Sequence, residues 1–353
     1  MDIRELGFDE WFQKEQKNLK KSDGSPARIS AVDRDSYLIR NDTREIRAEL
    51  AGNFLYNIDS DMDMPCVGDW VNVQYFDNGT FAVIYDLYPR KSFLQRKAAG
   101  KSKDRQAIAA NIDTAFIVQS CDANFNIHRL ERYIVMALDG RVNPVLLLSK
   151  KDLVTPDELS RMIESVQNAG IRCTILPISS RTEEGMADLK ALMETGKTYC
   201  LLGSSGVGKT TLLNRLIGQN IFETQEVREF DGKGRHTTTR RQLTVLDGGA
   251  MLVDTPGMRE LGTLGMGDGI HESFADAAEL ANDCRFADCT HTTEDGCALL
   301  AALSDGRLPR ERYESYMKLL SEADFHELSY AEKRKKDKDF GRFIKTAKKQ
   351  VRK

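Results

Sequence analysis

The feature that most constrains this chain is the stretch Gly203-Ser-Ser-Gly-Val-Gly-Lys-Thr210, which fits the pattern G-x-x-x-x-G-K-[ST]. An apolar run, TYCLLG, leads into it and a helical pattern, TTLLNRLIG, follows it, which is the context of a phosphate-binding loop. Its glycines let backbone N–H groups turn toward phosphate oxygens, and the helix N-terminus adds partial positive charge. We expect Lys209 to reach the β- and γ-phosphates and Thr210 to ligate Mg²⁺. The predicted nucleotide contacts of this loop are Gly203, Ser204, Ser205, Gly206, Val207, Gly208, Lys209, Thr210 and Thr211.

A second loop, Ser149-Lys-Lys-Asp152, ends the apolar run PVLLLS and is similar to the guanine-reading pattern N-K-x-D. The carboxylate of Asp152 can accept two hydrogen bonds from the N1–H and 2-amino groups of guanine, which adenine does not offer in that arrangement. The stem of Lys150 can pack over the base. Ser149 stands where the pattern has Asn, so one side-chain contact is shorter or missing. The alternative interpretation is a charged turn at a strand end.

Two serines, Ser179 and Ser180, end the apolar run CTILPIS and fit the loose S-A-x loop that backs guanine in GTPases. In isolation this pair would carry no weight. It counts because it follows the Asp152 loop by 27 residues and one strand–helix unit. We therefore include both serines among the predicted nucleotide contacts.

The stretch Asp254-Thr-Pro-Gly257 ends another apolar strand pattern and fits D-x-x-G. At that place the carboxylate of Asp254 would lie beside Mg²⁺, and the N–H of Gly257 would lie beside the γ-phosphate. Turns often contain Asp and Gly, so the motif is weak alone. It becomes strong when it accompanies a phosphate-binding loop.

The order of these loops along the chain is unusual. In an ordinary small GTPase the phosphate loop comes first and the base-reading loops come last. Here the base loops precede the phosphate loop, and D-x-x-G comes last. Apolar runs alternate with helical patterns from Asp113 onward, which predicts a three-layer α/β domain with a largely parallel sheet. Because ligands of such sheets bind at the carboxyl ends of the strands, a circularly permuted chain can still assemble one nucleotide site.

A basic, glycine-containing stretch at 232–240, GKGRHTTTR, lies between the phosphate loop and D-x-x-G and suits a nucleotide-dependent switch. One of its three consecutive threonines should be the second hydroxyl ligand of Mg²⁺, and we favour Thr238 or Thr239. The residue after D-x-x-G is Met258, where many GTPases have the glutamine that orients water. Either catalysis is slow or another group does that work, and His236 is the nearest candidate catalytic residue. The alternative for His236 is an ordinary surface histidine.

Three cysteines and a histidine lie within one short stretch, in the pattern C-x4-C-x-H-x5-C. Zn²⁺ takes four such ligands tetrahedrally, and a site closed by four protein ligands is structural. We therefore predict one structural Zn²⁺, in a small α-helical domain, held by Cys284, Cys289, His291 and Cys297. The other four of the seven cysteines are scattered singly, which indicates reduced thiols and no disulfide framework.

The region before the α/β domain contains short runs of β-forming residues separated by turn formers, such as GDWVNVQYF and TFAVIYDLYPR. Four or five strands in so short a segment predict a small barrel, an OB-fold, although an SH3-like barrel would look much the same. A basic segment, 89–106, reads as a linker. The predicted organisation comprises an N-terminal arm or short helix, the RNA-binding barrel, the permuted GTPase domain, the zinc domain and a basic tail, at 1–25, 26–97, 98–262, 263–330 and 331–353.

Charge is distributed unevenly along the chain. Residues 331–353 hold 11 Lys/Arg and 3 Asp/Glu, whereas residues 1–330 hold 40 and 51. A basic tail on an acidic body favours a polyanionic partner such as nucleic acid, with a solvated helix end as the alternative. No run approaches the length of a membrane span, and the first residues do not have a secretory pattern. We therefore expect a cytoplasmic protein with no membrane partner.

Taken together, the permuted motif order, GSSGVGKT, GRHTTT, DTPG and the zinc spacing, preceded by a small β-barrel, resemble the RsgA (YjeQ) family of small-subunit-dependent GTPases. The resemblance covers roughly residues 26–330. It implies an OB-fold, a permuted GTPase domain and a zinc domain that act in late maturation of the small ribosomal subunit. It also implies hydrolysis of GTP to GDP when the subunit stimulates it, and a catalytic role for the histidine of GRHTTT, here His236.

The expected partners are therefore the small ribosomal subunit with its rRNA and GTP/GDP, the cofactor is Mg²⁺ with GTP, and we expect a monomer. Two other functions stay open at this point. One is a P-loop ATPase or small-molecule kinase, which relative affinity for GTP and ATP would separate. The other is a zinc-bearing RNA-binding protein with a static nucleotide, which turnover with and without small subunits would separate.

Overall fold

The computed structural model describes residues 2–19, 24–33, 36–58, 60–97, 105–218, 241–254 and 267–327. The chain forms two compact units, one from Met1 to Gly262 and the other from Thr263 to Lys353. The first unit holds a β-barrel and an α/β sheet, and the second is helical.

Five strands close into a barrel in the order β1-β2-β3-β5-β4, with β4 returning to pair with β1. The pairs are antiparallel except β3 with β5, so the connectivity is the Greek key of an OB-fold. Alternate side chains point inward and form an apolar core that includes Ile29, Ile39 and Ile84. The elements are β1 (Ser25–Val32), β2 (Tyr37–Arg40), β3 (Glu45–Leu50), the helix α2 (Gly52–Tyr56), β4 (Trp70–Phe76) and β5 (Phe81–Leu87).

The N-terminal residues pack on the barrel in two short 3-10 turns and the helix α1 (Glu10–Glu15). The side chain of Asp9 caps α1 by accepting hydrogen bonds from the N–H groups of Trp11 and Phe12. Phe8 and Phe12 are buried against Trp70, with ring centroids 4.9 and 5.9 Å from it. Aromatic burial thus holds this segment to the barrel, and of the two expectations for residues 1–25 the short helix is what the structure has.

The segment expected to be a basic linker is instead part of an antiparallel hairpin. Its strands are β6 (Phe93–Lys97) and β7 (Arg105–Ala110), so the predicted domain boundary between residues 97 and 98 falls inside the hairpin. Leu94 of β6 and Ile108 of β7 are fully buried, so both strands contribute apolar side chains to the interior. The prediction of a linker rested on the high content of Lys and Arg, and the alternating apolar positions were overlooked.

The rest of the first unit is an open sheet in the order β10-β9-β8-β11-β13-β12. All neighbours are parallel except β12 with β13. The strand order in space is that of an α/β nucleotide-binding domain whose chain begins at β11, the strand before the phosphate loop. In this protein β8, β9 and β10 come before β11 in the sequence instead of after β13. Its elements are β8 (Thr114–Ser120), α3 (Ile127–Asp139), β9 (Asn143–Ser149), α4 (Pro156–Asn168), β10 (Thr174–Pro177), α5 (Met186–Ala191), β11 (Thr198–Leu202), α6 (Lys209–Ile217), β12 (Gln242–Val245) and β13 (Met251–Asp254).

The barrel and the sheet are joined by β1 and β12, where Ala31 pairs with Gln242. The buried side chain of Arg28 secures this junction. Its guanidinium donates to the carbonyls of Leu6, Gly68 and Asn111 at 2.6, 3.2 and 3.0 Å. Burial lowers the pKa of Arg28 to about 10, which still leaves it charged. One cation therefore binds the N-terminal segment, the barrel and the short connection between β7 and β8.

In the described part of the second unit, two helices precede the short loop that carries the cysteines and two follow it. Arg312 is buried, donates to both carboxylate oxygens of Asp276 at 3.2 and 2.8 Å, and stacks on Phe274 at 3.9 Å. This contact fastens the last described helix to the first ones. The helices are α7 (Gly267–Ser273), α8 (Ala275–Asn282), α9 (Ala298–Ser304) and α10 (Arg310–Glu327).

Replacement of Arg28 by Met should destabilise the first unit by about 3 kcal/mol or more, because three buried carbonyls lose a charged donor. Urea unfolding followed by tryptophan fluorescence measures this, since the guanidinium lies 5.6 Å from the Trp70 ring. Arg161→Met on the exposed face of α4 is the matched control and should change the free energy of unfolding little. A loss below about 1 kcal/mol for Arg28→Met would contradict the role given to this side chain.

Candidate nucleotide site and metal cluster

The predicted nucleotide loops follow strands that run in the same direction in one sheet. The phosphate loop follows β11, the Asp152 loop follows β9 and Ser179 follows β10, while Asp254 is the last residue of β13. Because these strands are parallel, their carboxyl ends lie at one edge of the sheet. The permuted sequence order therefore does not prevent the loops from meeting.

The phosphate loop depends on glycine at three places. Gly203 has φ +146, and a Cβ atom there would lie 2.4 Å from the carbonyl oxygen of Val118. Gly206 and Gly208 have φ +82 and +93, in the left-handed region that suits glycine. Val207, between them, is fully buried in the core of the sheet. The loop is thus anchored by one apolar side chain while its backbone turns back above the strand.

Lys209 begins α6 and folds over the loop. Its Nζ donates to the carbonyls of Gly203 and Ser204 at 2.7 and 2.6 Å. Thr210 and Thr211, in the first turn of α6, are exposed, as hydroxyls that meet Mg²⁺ or phosphate must be. Arg129 from α3 donates to Ser204 Oγ at 3.0 Å, which brings a second cation to the loop. The loop is therefore lined by positive charge on two sides.

Ser149 joins the base loop to the phosphate loop. Its side chain is buried, and its Oγ donates to the carbonyl of Val207 at 2.7 Å. Because Ser149 replaces the usual Asn, the expected contact of this side chain with the base was shorter or missing. The hydroxyl instead makes a contact to the phosphate loop, so this position links the two loops. The two motifs are therefore in direct contact in space although 58 residues separate them along the chain.

The carboxylate of Asp152 is oriented by the next loop along the sheet edge. Ser179 Oγ donates to Asp152 Oδ1 at 2.6 Å. The same Oγ accepts hydrogen bonds from the N–H groups of Arg181 and Thr182 at 3.2 and 3.1 Å, which fixes the hydroxyl in this direction. Asp152 is exposed and has a second carboxylate oxygen to offer. Ser180 lies next to this contact and is half-buried.

Asp254 is half-buried at the end of β13, and its neighbour Val253 pairs with Cys200 of β11. Asp254 therefore ends the strand next to the one that leads into the phosphate loop, which is compatible with the predicted position beside Mg²⁺. The remaining predicted site residues lie outside the described residues: Gly257, His236, Thr238 and Thr239.

The structure adds two charged residues that the sequence analysis did not identify, Asp122 and Arg129. Asp122 lies just beyond β8, and its carboxylate accepts from Lys150 Nζ at 2.9 Å. Arg129 lies in the first turn of α3 and meets Ser204. Their position along the chain could have identified them. The strand β8 is an apolar run like β9 and β11, so the polar residues that follow it lie at the same edge of the sheet. Neither residue belongs to a motif.

In the second unit, one ligand atom from each of Cys284, Cys289, His291 and Cys297 lies within 4.8 Å of the others. Cys284 Sγ is 3.5 Å from His291 Nδ1 and 3.9 Å from Cys297 Sγ. Three thiols and one imidazole are the donor set of a closed tetrahedral zinc site. The four residues predicted from spacing are therefore brought together.

Neighbouring groups support this cluster. Burial raises the pKa of the Cys289 thiol to about 11. Burial also raises the pKa of the Cys284 thiol, but hydrogen bonds from the N–H groups of Ala298 and Leu299 and from the two neighbouring thiols together lower it by more, so the net shift of Cys284 is downward. Such a shift favours the thiolate that a metal binds. Tyr313 Oη donates to the carbonyl of His291 at 2.7 Å, which attaches the loop to α10. His291 itself has φ +59, so the chain turns sharply at this ligand.

Within the described parts of the chain, no helix combines the length and the apolar character needed to cross a membrane.

Comparisons with known proteins agree with this geometry. A protein of Bacteroides thetaiotaomicron named small ribosomal subunit biogenesis GTPase RsgA 1 is 39% identical over 342 residues, which are 97% of this chain and 95% of that protein. The structure of YjeQ from Thermotoga maritima is similar with a TM-score of 0.61 at 26% identity, over 84% of this chain and 97% of that one. The structure of YloQ, described as a circularly permuted GTPase, shares the fold with a TM-score of 0.61 at 22% identity, over 87% and 97% of the two chains.

The family model for the RsgA GTPase matches residues 87–264, which contain all the nucleotide loops described above and the switch stretch between them. Together with the relative that is 39% identical across nearly the whole chain, this match settles the classification, and the chain belongs to the RsgA GTPase family.

Proposed function

We propose that this protein binds GTP in the loops at the carboxyl edge of its sheet and hydrolyses it during late maturation of the small ribosomal subunit. The observation that carries the proposal is the direct contact of the base loop with the phosphate loop through Ser149 Oγ and the Val207 carbonyl. That contact joins the loop of the proposed guanine-binding carboxylate directly to the proposed phosphate-binding loop. The relative from Bacteroides thetaiotaomicron bears a name that refers to the small ribosomal subunit and supports the biological assignment.

Each loop has a distinct role in the proposed complex. Asp152 accepts hydrogen bonds from guanine through its free carboxylate oxygen, while Ser179 holds the other. The N–H groups of the phosphate loop and Lys209 surround the phosphates, and Lys209 exchanges its two loop carbonyls for phosphate oxygens. Ser180 and Thr211 complete the contacts at the two ends of the pocket.

Mg²⁺ bound with GTP would be held by hard oxygen ligands, and the chain offers them at the expected places. The hydroxyl of Thr210 is exposed at the start of α6, and Asp254 ends the neighbouring strand. A threonine of the switch, Thr238 or Thr239, supplies a further hydroxyl in this proposal. When bound, Mg²⁺ would supply positive charge to stabilise the phosphates, while these side chains would hold it and orient the nucleotide.

The proposed catalytic residue is His236, in the stretch between α6 and β12. Met258 follows D-x-x-G and has no group that can orient water, so another side chain must do this. A histidine can hold or accept a proton near neutral pH, which suits it to align the attacking water. Docking on the small subunit would bring the switch into its active arrangement.

The barrel, the β6–β7 hairpin and the basic tail are the proposed contacts with rRNA, and the protein is proposed to act as a monomer. The barrel exposes two aromatic rings, Tyr56 and Phe76, with 90% and 43% of their surface accessible. Exposed aromatic side chains on an OB-fold can stack on unpaired bases, and Lys/Arg groups bind the backbone. The hairpin contributes Arg96 and Arg105.

Asp152→Asn should weaken GTP binding by about 100-fold and shift the preference to xanthosine nucleotides, because the amide can donate where the carboxylate could only accept. Affinities for GDP, XDP and ADP measured on the full chain check this. Lys209→Ala, which should abolish binding of all three, and Asp157→Asn, an exposed aspartate of α4, are the controls. An unchanged preference for guanine in Asp152→Asn would remove this loop from base recognition, and a wild-type preference for ADP would favour the ATPase alternative.

His236→Ala should leave GTP affinity unchanged and lower the turnover stimulated by small subunits by about 100-fold, since general acid–base groups contribute at least that much. Phosphate release with purified small subunits measures the stimulated turnover, and its dependence on GTP concentration measures the apparent affinity for GTP. His271→Ala, a histidine of the other unit, should behave as the unchanged protein. Normal stimulated turnover in His236→Ala would exclude this residue from the chemistry.

The cysteine cluster is proposed to bind one structural Zn²⁺, so the purified protein should contain one zinc per chain. Cys289→Ser should lose the metal and the cooperative thermal unfolding of the helical unit, because a structural zinc supplies folding free energy. Metal analysis and circular dichroism measure these effects, and Cys173→Ser is the control. GTP affinity should persist, since the nucleotide loops belong to the other unit. A zinc-free protein with unaltered thermal unfolding would rule the proposal out.

A further inference from the structure

The strand β8 occupies a special place in the sheet, because it lies between β9 and β11. The first of these neighbours leads into the base loop and the second into the phosphate loop. The residues that follow β8 therefore emerge between the two halves of the nucleotide site. None of the sequence motifs covers this segment, whose first residues are Cys121 and Asp122.

The carboxylate of Asp122 is held on both oxygens. Oδ1 accepts from Ser120 Oγ at 2.7 Å and from the N–H of Asn124 at 2.9 Å, and Oδ2 accepts from Lys150 Nζ at 2.9 Å. Burial alone would raise the pKa of Asp122, but these hydrogen bonds outweigh it and lower the pKa to about 2. The group is a fixed anion whose remaining interaction is directed at the base loop.

The backbone conformation of Lys150 indicates that contacts such as the one with Asp122 stabilise it. It has φ +57 and ψ +36, the left-handed conformation that is uncommon for a long side chain and that persists only where its surroundings stabilise it. Its ammonium group meets Asp122 on the β8 side, whereas Asp152, two residues later, meets Ser179 on the β10 side. The base loop is thus held at both of its ends by side chains from the strands on either side of β9.

We propose that Asp122 is a positioning residue for guanine: it holds the ammonium of Lys150 so that the aliphatic stem of Lys150 forms one wall of the base pocket. This inference rests on the proposed function, because it assigns the base to the Asp152 loop. Without the carboxylate, the four-carbon stem of Lys150 samples several rotamers, and nucleotide binding has to order it. Ordering one long side chain weakens affinity by about three- to tenfold.

The test uses the full chain and a fluorescent GDP analogue with three variants, Asp122→Asn, Lys150→Met and the double variant. Lys150→Met keeps an apolar stem and removes the ammonium. Each single variant should raise the Kd for GDP by about three- to tenfold. The double variant should be no weaker than either single one, because both remove the same ion pair. Asp157→Asn on exposed α4 should keep the original Kd.

A ligand without a base separates positioning from a general effect on the fold. Inorganic tripolyphosphate should compete with GDP equally well in the original protein and in Asp122→Asn, since it uses only the phosphate loop. An unchanged Kd for GDP in Asp122→Asn, additive losses in the double variant, or an equal loss for tripolyphosphate would each overturn the inference. If Asp152→Asn shifts the preference to xanthine while Asp122→Asn has no effect, this inference alone fails. If Asp152→Asn keeps guanine, the proposed base loop fails with it.

Discussion

A parallel sheet brings the carboxyl ends of its strands to one edge in whatever order the chain visits them, and the whole proposed nucleotide site depends on this constraint. The base loops come before the phosphate loop in the sequence, yet Ser149 and Val207 share a hydrogen bond. Circular permutation changes which connections are covalent and leaves the strand neighbours unchanged. The arrangement of the proposed nucleotide loops is therefore a property of strand adjacency.

The second organising contact is the junction at Arg28. A buried guanidinium with three carbonyl partners holds the N-terminal segment, the barrel and the entry to the sheet together. Beside it, β12 is hydrogen-bonded to β13 on one side and to β1 of the barrel on the other. The stretch that carries the proposed switch residues leads directly into β12. A barrel proposed to bind RNA and a sheet proposed to bind nucleotide thus share a strand pair in addition to a chain connection.

The sequence predicted the features that are encoded locally. The glycines of the phosphate loop, the Asp152 loop and the spacing of Cys284 and its partners are patterns over a few residues, and the structure brings each set together. A small barrel was predictable from the short strands. The choice of the OB-fold over an SH3-like barrel needed the strand order that the structure shows.

Other features depend on tertiary contacts and left little trace in the sequence. Asp122 and Arg129 matter because of the strands on either side of β8, and neither belongs to a motif. Ser149 looked like a weakened base contact, and only the position of the Val207 carbonyl shows what its hydroxyl binds. The β6–β7 hairpin was mistaken for a linker because its charge outweighed two buried apolar positions, Leu94 and Ile108.

The position of β11 in the sheet also bears on biosynthesis. During translation β8, β9 and β10 leave the ribosome before β11, and until then β8 has a partner in the sheet on one side only. Its other edge stays open until residues 198–202 have been made, almost 80 residues after β8 ends. Exposed strand edges are sites of mispairing, so the nascent chain is open to mispairing at β8 during this interval. In the unpermuted arrangement the central strand is made first, which would avoid such an interval.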